Sequence, residues 1–83
     1  MWWRRTRGEA AAKVLKRLRE NGEVGADVVA AVEVVAKYAP MRMITAVLAD
    51  ETGQAWTLAL YHVAQMDRQG MSTAESAALE AMI

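Results

Sequence analysis

The chain has no cysteine and no phenylalanine, one proline, one histidine, and no charge-free apolar run long enough to span a membrane. Without cysteine there are no disulfides and no thiolate-ligated metal, and a reducing compartment suits such a chain. His62 alone cannot build a nitrogen-rich metal site. The most apolar stretches are interrupted, Val24–Ala39 by Asp27, Glu33 and Lys37, and Met41–Ala64 by Arg42, Asp50, Glu51 and Gly53. A spanning helix needs about 20 nearly uncharged residues. Arg4, Arg5 and Arg7 lead into charged sequence rather than an apolar signal segment, so a cytoplasmic protein is expected. There is no glycine-rich phosphate loop either.

The 83 residues fit one domain spanning 1–83, too small for a second core. With disulfides excluded, self-association is the extra stabiliser open to so short a chain. Alanine is the commonest residue and arginine outnumbers lysine seven to three, a codon-level bias. A viral or mobile-element origin would suit the size.

Net charge is zero, but the charges are segregated. Residues 1–20 carry seven bases against two acids, giving +5, and residues 21–83 carry three bases against eight acids, giving −5. Such asymmetry produces a field that steers partners. It also arises when a basic helix docks on the acidic remainder of its own fold.

Spacing divides the chain into short helices. Thr6 and Glu9 have the spacing of a capping box, leaving residues 1–6 as a basic, aromatic N-terminal arm. Ala11, Val14, Leu15 and Leu18 then make one apolar stripe, with Lys13, Lys16, Arg17 and Glu20 opposite. Asn21-Gly22 supplies a left-handed stop. A second helix is predicted from near Asp27 to the residue before Pro40, apolar on almost every side and hence central, with a Glu33–Lys37 pair at i,i+4.

Residues 41–53 fit either a helix ended by Asp50–Gly53 or one arm of a hairpin across 42–61. Alanine content favours the helix. Residues 54–69 read as a helix with Trp56, Ala59, Leu60, Val63 and Met66 on one face, Gln54, Thr57, Tyr61, Gln65 and Arg68 on the other, and Gly70 as its stop. Ser72 with Glu75 makes a second capping box, opening a last helix whose end, Met82-Ile83, is apolar and expected to dock. The predicted fold is all-α, a compact bundle of four to five short helices, with an α+β hairpin fold as runner-up.

No set of residues assembles a catalytic site, and the chain is expected not to be an enzyme and to need no cofactor. His62 has no carboxylate at i±3 or i±4 to orient it. Ser72 has a capping role, and Asp50-Glu51 is explained by turn chemistry. Gln65–Ala81 has helix-turn-helix spacing, but its second helix would present Glu75 and Glu80 to phosphate and no base.

Met1-Trp2-Trp3-Arg4-Arg5 is the unusual segment. Tryptophan and arginine dominate protein–protein hot spots, stack on bases and neutralise phosphate, and suit lipid headgroups. Alternatively, both indoles fold back over the first helix. The candidate partner-binding residues are Trp2, Trp3, Arg4, Arg5, Arg7, Lys13, Lys16 and Arg17. The expected function is that of a small, non-enzymatic, homo-oligomeric regulatory protein, inhibitor or assembly factor that binds another protein. The alternative is nucleic-acid binding through the same basic face; a membrane surface fits less well.

Overall fold

Five helices and one 3-10 turn make up the chain in the computed structural model, which describes residues 2–82, and of residues 2–4 the backbone only. They are α1 (Trp2–Glu20), α2 (Ala26–Tyr38), α3 (Met41–Ala49), α4 (Gln54–Ala64), the 3-10 turn Arg68–Gly70, and α5 (Thr73–Met82). There is no strand among the described residues, so the hairpin alternative across 42–61 is overturned. The radius of gyration, 11.9 Å, matches the roughly 12 Å expected of a folded chain of this length.

α2 is the hub, packing against α1, α4 and α5, while α3 bridges α1 and α4. Its valine-rich run is a poor intrinsic helix former, but tertiary burial overrides propensity. Ala31, Val32, Val34, Val35 and Ala36 are all buried, leaving Glu33 and Lys37 outside. Val14 of α1, Ile44 and Val47 of α3, Ala59 and Val63 of α4 and Leu79 of α5 complete the core.

Three local expectations are corrected. Thr6 does not cap the first helix, because the backbone is already helical from Trp2; Glu9 instead accepts from Arg5 Nε at 3.2 Å, one turn back. Lys37 turns away from Glu33 to Glu75, whose carboxylate is already oriented by Ser72 N–H and the Tyr38 hydroxyl. The helix expected over 54–69 stops at Ala64 rather than at Gly70. Gln65 N–H bonds back to the carbonyls of Tyr61 and His62, and Met66 N–H to Val63. Asp67 Oδ1 then accepts from Gln69 N–H at 3.0 Å and starts the 3-10 turn. An aspartate that offers its own turn bond competes with helix continuation.

The loop between α3 and α4 works in both directions. Asp50 ends α3, and its carboxylate accepts from Thr52 N–H at 3.0 Å, Thr52 Oγ1 at 2.8 Å and Ala55 N–H at 3.0 Å, capping the start of α4. Gly53 holds φ at +89°, a left-handed conformation that permits the sharp entry. The capping box at Ser72 forms as expected. Ser72 N–H donates to Glu75 Oε1 at 2.9 Å, and Glu75 N–H donates to Ser72 Oγ at 3.1 Å.

Candidate functional site

The basic face of α1 was the foremost candidate, and its side chains divide into two groups. Arg7 Nη1 donates to the carbonyls of Ala36 (2.9 Å), Lys37 (3.1 Å) and Ala39 (2.6 Å), at the C-terminal end of α2. Lys13 Nζ donates to Leu48 O at 2.6 Å and Arg17 Nη2 to Asp50 O at 3.3 Å, both at the C-terminal end of α3. Helix C-termini present unsatisfied carbonyls and the negative end of the dipole, so cations there are stabilising. These three cations therefore lash α1 to the ends of its two neighbours.

Arg5 and Lys16 belong to the second group. Arg5 is exposed and paired with Glu9, and Lys16 is exposed beside Lys13, Arg17, Glu20 and Glu51. The side chains of Trp2, Trp3 and Arg4 lie outside the described residues. Arg19 is also exposed, close to the end of α1.

A polar cluster joins α2 to α5. Glu75 accepts from Lys37 Nζ at 2.8 Å and from the Tyr38 hydroxyl at 2.7 Å. The Lys37 ammonium, the Ser72 amide and the Tyr38 hydroxyl together hold the Glu75 carboxyl down at about 2. The same carboxylate raises both Lys37 and Tyr38. Asp50 is likewise pulled well below the carboxylate range, by the Ala55 and Thr52 amides and the Thr52 hydroxyl. Both carboxylates act as caps, and their perturbed acidity follows from that role. Among the described residues no three histidine or acidic side chains gather as a metal site, and no buried polar side-chain atom lacks a partner.

The more distinctive surface is on α4, where the outward stripe reads Gln54, Thr57, Leu58, Tyr61, Gln65. All five are exposed, and Leu58 and Tyr61 each keep 64% of their surface open to solvent. The stripe holds no Asp, Glu, Lys or Arg, although a quarter of the chain is charged. Its inner face packs normally, with Ala59 and Val63 buried and Trp56, Leu60 and Met66 against them.

α4 and α5 both rest on α2, and a groove of about 350 Å³ lies beside the stripe, lined by Thr57, Leu60, Tyr61, Ala64 and Met82. A second groove, about 550 Å³ between α1 and α2, has Ala11, Ala12 and Leu15 on its floor, but its rim carries Arg7, Glu33 and Lys37, as an ordinary solvated face would.

Depletion of charge around an exposed tyrosine is a composition shared with interface centres, and Leu58 adds apolar area beside it. The periodicity of 54–69 puts Gln54, Thr57, Tyr61, Gln65 and Arg68 on the outer side of this helix and leaves Leu58 out. The absence of charge across Gln54–Gln65 was the signal that could have found it. Comparison of the chain with known protein families, with curated proteins and with solved structures finds no match.

Proposed function

We propose that this is a small, non-enzymatic interaction protein of the cytoplasm, a regulator, inhibitor or assembly factor, that acts by binding protein through the outer face of α4. One observation carries the reading: Leu58 and Tyr61 stand exposed side by side on a helix stripe free of charge. Leaving that much apolar surface in water is unfavourable, and covering it with a complementary apolar surface is the general driving force of association.

Nucleic acid is the alternative partner, and it fits less well. Arg7, Lys13 and Arg17 donate to helix-end carbonyls. That leaves Arg5, Lys16 and Arg19 as the exposed cations of the described part of α1, Arg5 in a solvent-exposed pair with Glu9.

Affinity capture from the native host tests the reading, with wild-type bait run beside a Leu58→Glu/Tyr61→Glu bait of matched melting temperature. The expected result is a discrete protein retained by the first and lost from the second. Equal retention by both baits overturns the reading. So does capture of nucleic acid alone that is released by moderate salt, the signature of phosphate contact.

A further inference from the structure

We infer that the occupant of the α4 face is a second copy of this chain, laid antiparallel so that Leu58 of each protomer packs on Tyr61 of the other. This rests on the protein-binding reading above and names the partner and its geometry.

A two-fold interface must be self-complementary, because every contact between residue i and residue j occurs twice. Four of the five stripe residues meet that requirement, Thr57 falling opposite His62. Leu58 and Tyr61 are placed symmetrically about the midpoint between Ala59 and Leu60, and Gln54 and Gln65 are symmetric about the same point. An antiparallel pairing of two α4 helices about that midpoint sets the apolar pair on the apolar pair at the centre. At both ends it sets glutamine opposite glutamine, where each amide can donate and accept. A parallel pairing would set Leu58 on Leu58 and Tyr61 on Tyr61, without the exchange of large and small that interdigitation needs.

Charge supports the same occupant. The stripe has no Asp, Glu, Lys or Arg to oppose its own copy, and a net charge of zero gives two protomers no net long-range repulsion. A charged heterologous partner would find nothing on this stripe to pair with.

The required area also points to more than one helix. A specific interface takes about 800 Å² from each partner, roughly a seventh of the 5420 Å² on this protomer. An eleven-residue helix is too short to supply it, but the adjoining groove brings in Leu60, Ala64 and Met82 beside the stripe. A dimer interface centred on α4, with Met82 of α5 at its margin, follows from that groove.

The absence of native cysteine makes a direct test clean. Gln54 and Gln65 of one helix are about 16 Å apart along its axis, whereas a disulfide needs Cα atoms within about 7 Å. Under mild oxidation, Gln54→Cys chains mixed with Gln65→Cys chains should cross-link to each other, and neither should cross-link readily with itself. Sedimentation of the wild type should give a mass moving from 9.1 kDa towards twice that at tens to hundreds of micromolar. The Leu58→Glu/Tyr61→Glu protein should stay at 9.1 kDa with an unchanged helical spectrum. If that variant loses its fold, Gln54→Glu/Gln65→Glu replaces it, setting like charges opposite each other at both ends of the same pairing.

A wild type that stays monomeric throughout that range overturns the inference. So does a dimer indifferent to these variants, or self-cross-linking as efficient as the mixed reaction. In each of these cases capture of a different protein, lost on Leu58→Glu/Tyr61→Glu, would leave the broader reading standing.

Discussion

The guanidinium of Arg7 lies 2.6 Å from the carbonyl of Ala39 and also reaches the carbonyls of Ala36 and Lys37, so one α1 side chain closes the end of α2. Hydrogen bonds to a charged donor are worth about 1.5–3 kcal/mol each way of counting, and leaving half-buried carbonyls unmet adds to the loss. Arg7→Ala should therefore cost about 2–3 kcal/mol, a fall in melting temperature of roughly 10 °C or more for a domain of this size. Arg7→Lys should recover only part of it, since an ammonium cannot reproduce the planar fork. Thermal denaturation of the three proteins checks both points. A loss within the ordinary surface range of about 0.5 kcal/mol would show that the contact is incidental.

Glu75 gives the fold a defined acid sensitivity. Its carboxyl is held at about 2 in the folded protein and titrates near 4.5 when released, so the unfolded chain takes up the proton first as pH falls. The stabilisation is complete above about 4.5 and is lost progressively down to about 2. Glu75→Gln should lower stability at neutral pH and flatten the curve across that window, with Asp50 continuing the decline at still lower pH. Urea midpoints taken from pH 7 to 2.5 read this directly. A parallel pair of curves would remove Glu75 from the account.

Val32 has no solvent exposure at the centre of α2, with Val35, Val63 and Leu79 also fully enclosed in the same core. Val32→Asp buries a charge with no partner and should abolish cooperative unfolding, a penalty above about 4 kcal/mol against a few kcal/mol of total stability. Far-ultraviolet dichroism and a thermal scan suffice. A retained sharp transition would mean that α2 is not the hub.

How legible the molecule is in its sequence depended on whether the deciding interaction is local. The stop at Gly22, the limits of α2 and the Ser72–Glu75 capping box are settled within a few residues, and each could be read in advance. The start of α1 and the end of α4 were misjudged for a related reason. Thr6-Glu9 and Gly70 carry familiar signals, but helical arginines upstream and an Asx turn at Asp67 won locally. The basic face illustrates a different gap. Counting charges left α1 with partners to find, either acids of its own fold or an outside molecule. The structure gives Arg7, Lys13 and Arg17 backbone carbonyls instead, acceptors that no composition reveals. The outer stripe of α4 escaped because a missing property, charge, is harder to notice than a conspicuous tryptophan.

The turn at Gly53 offers a last test of how α3 is joined to α4. Its φ of +89° is a conformation in which a side chain is strained, and an added Cβ would also sit 3.1 Å from Arg17 Nη1. That guanidinium is in turn bonded to Asp50 O, so the methyl group presses on the contact holding α1 to the end of α3. Gly53→Ala should cost about 1–2 kcal/mol from backbone strain, with a further loss if Arg17 is displaced. In an Arg17→Ala background the steric part should vanish and the strain part remain, so the two substitutions should be less than additive. Strict additivity in a double-mutant cycle would mean that the loop and α1 are energetically independent, against the bond between them.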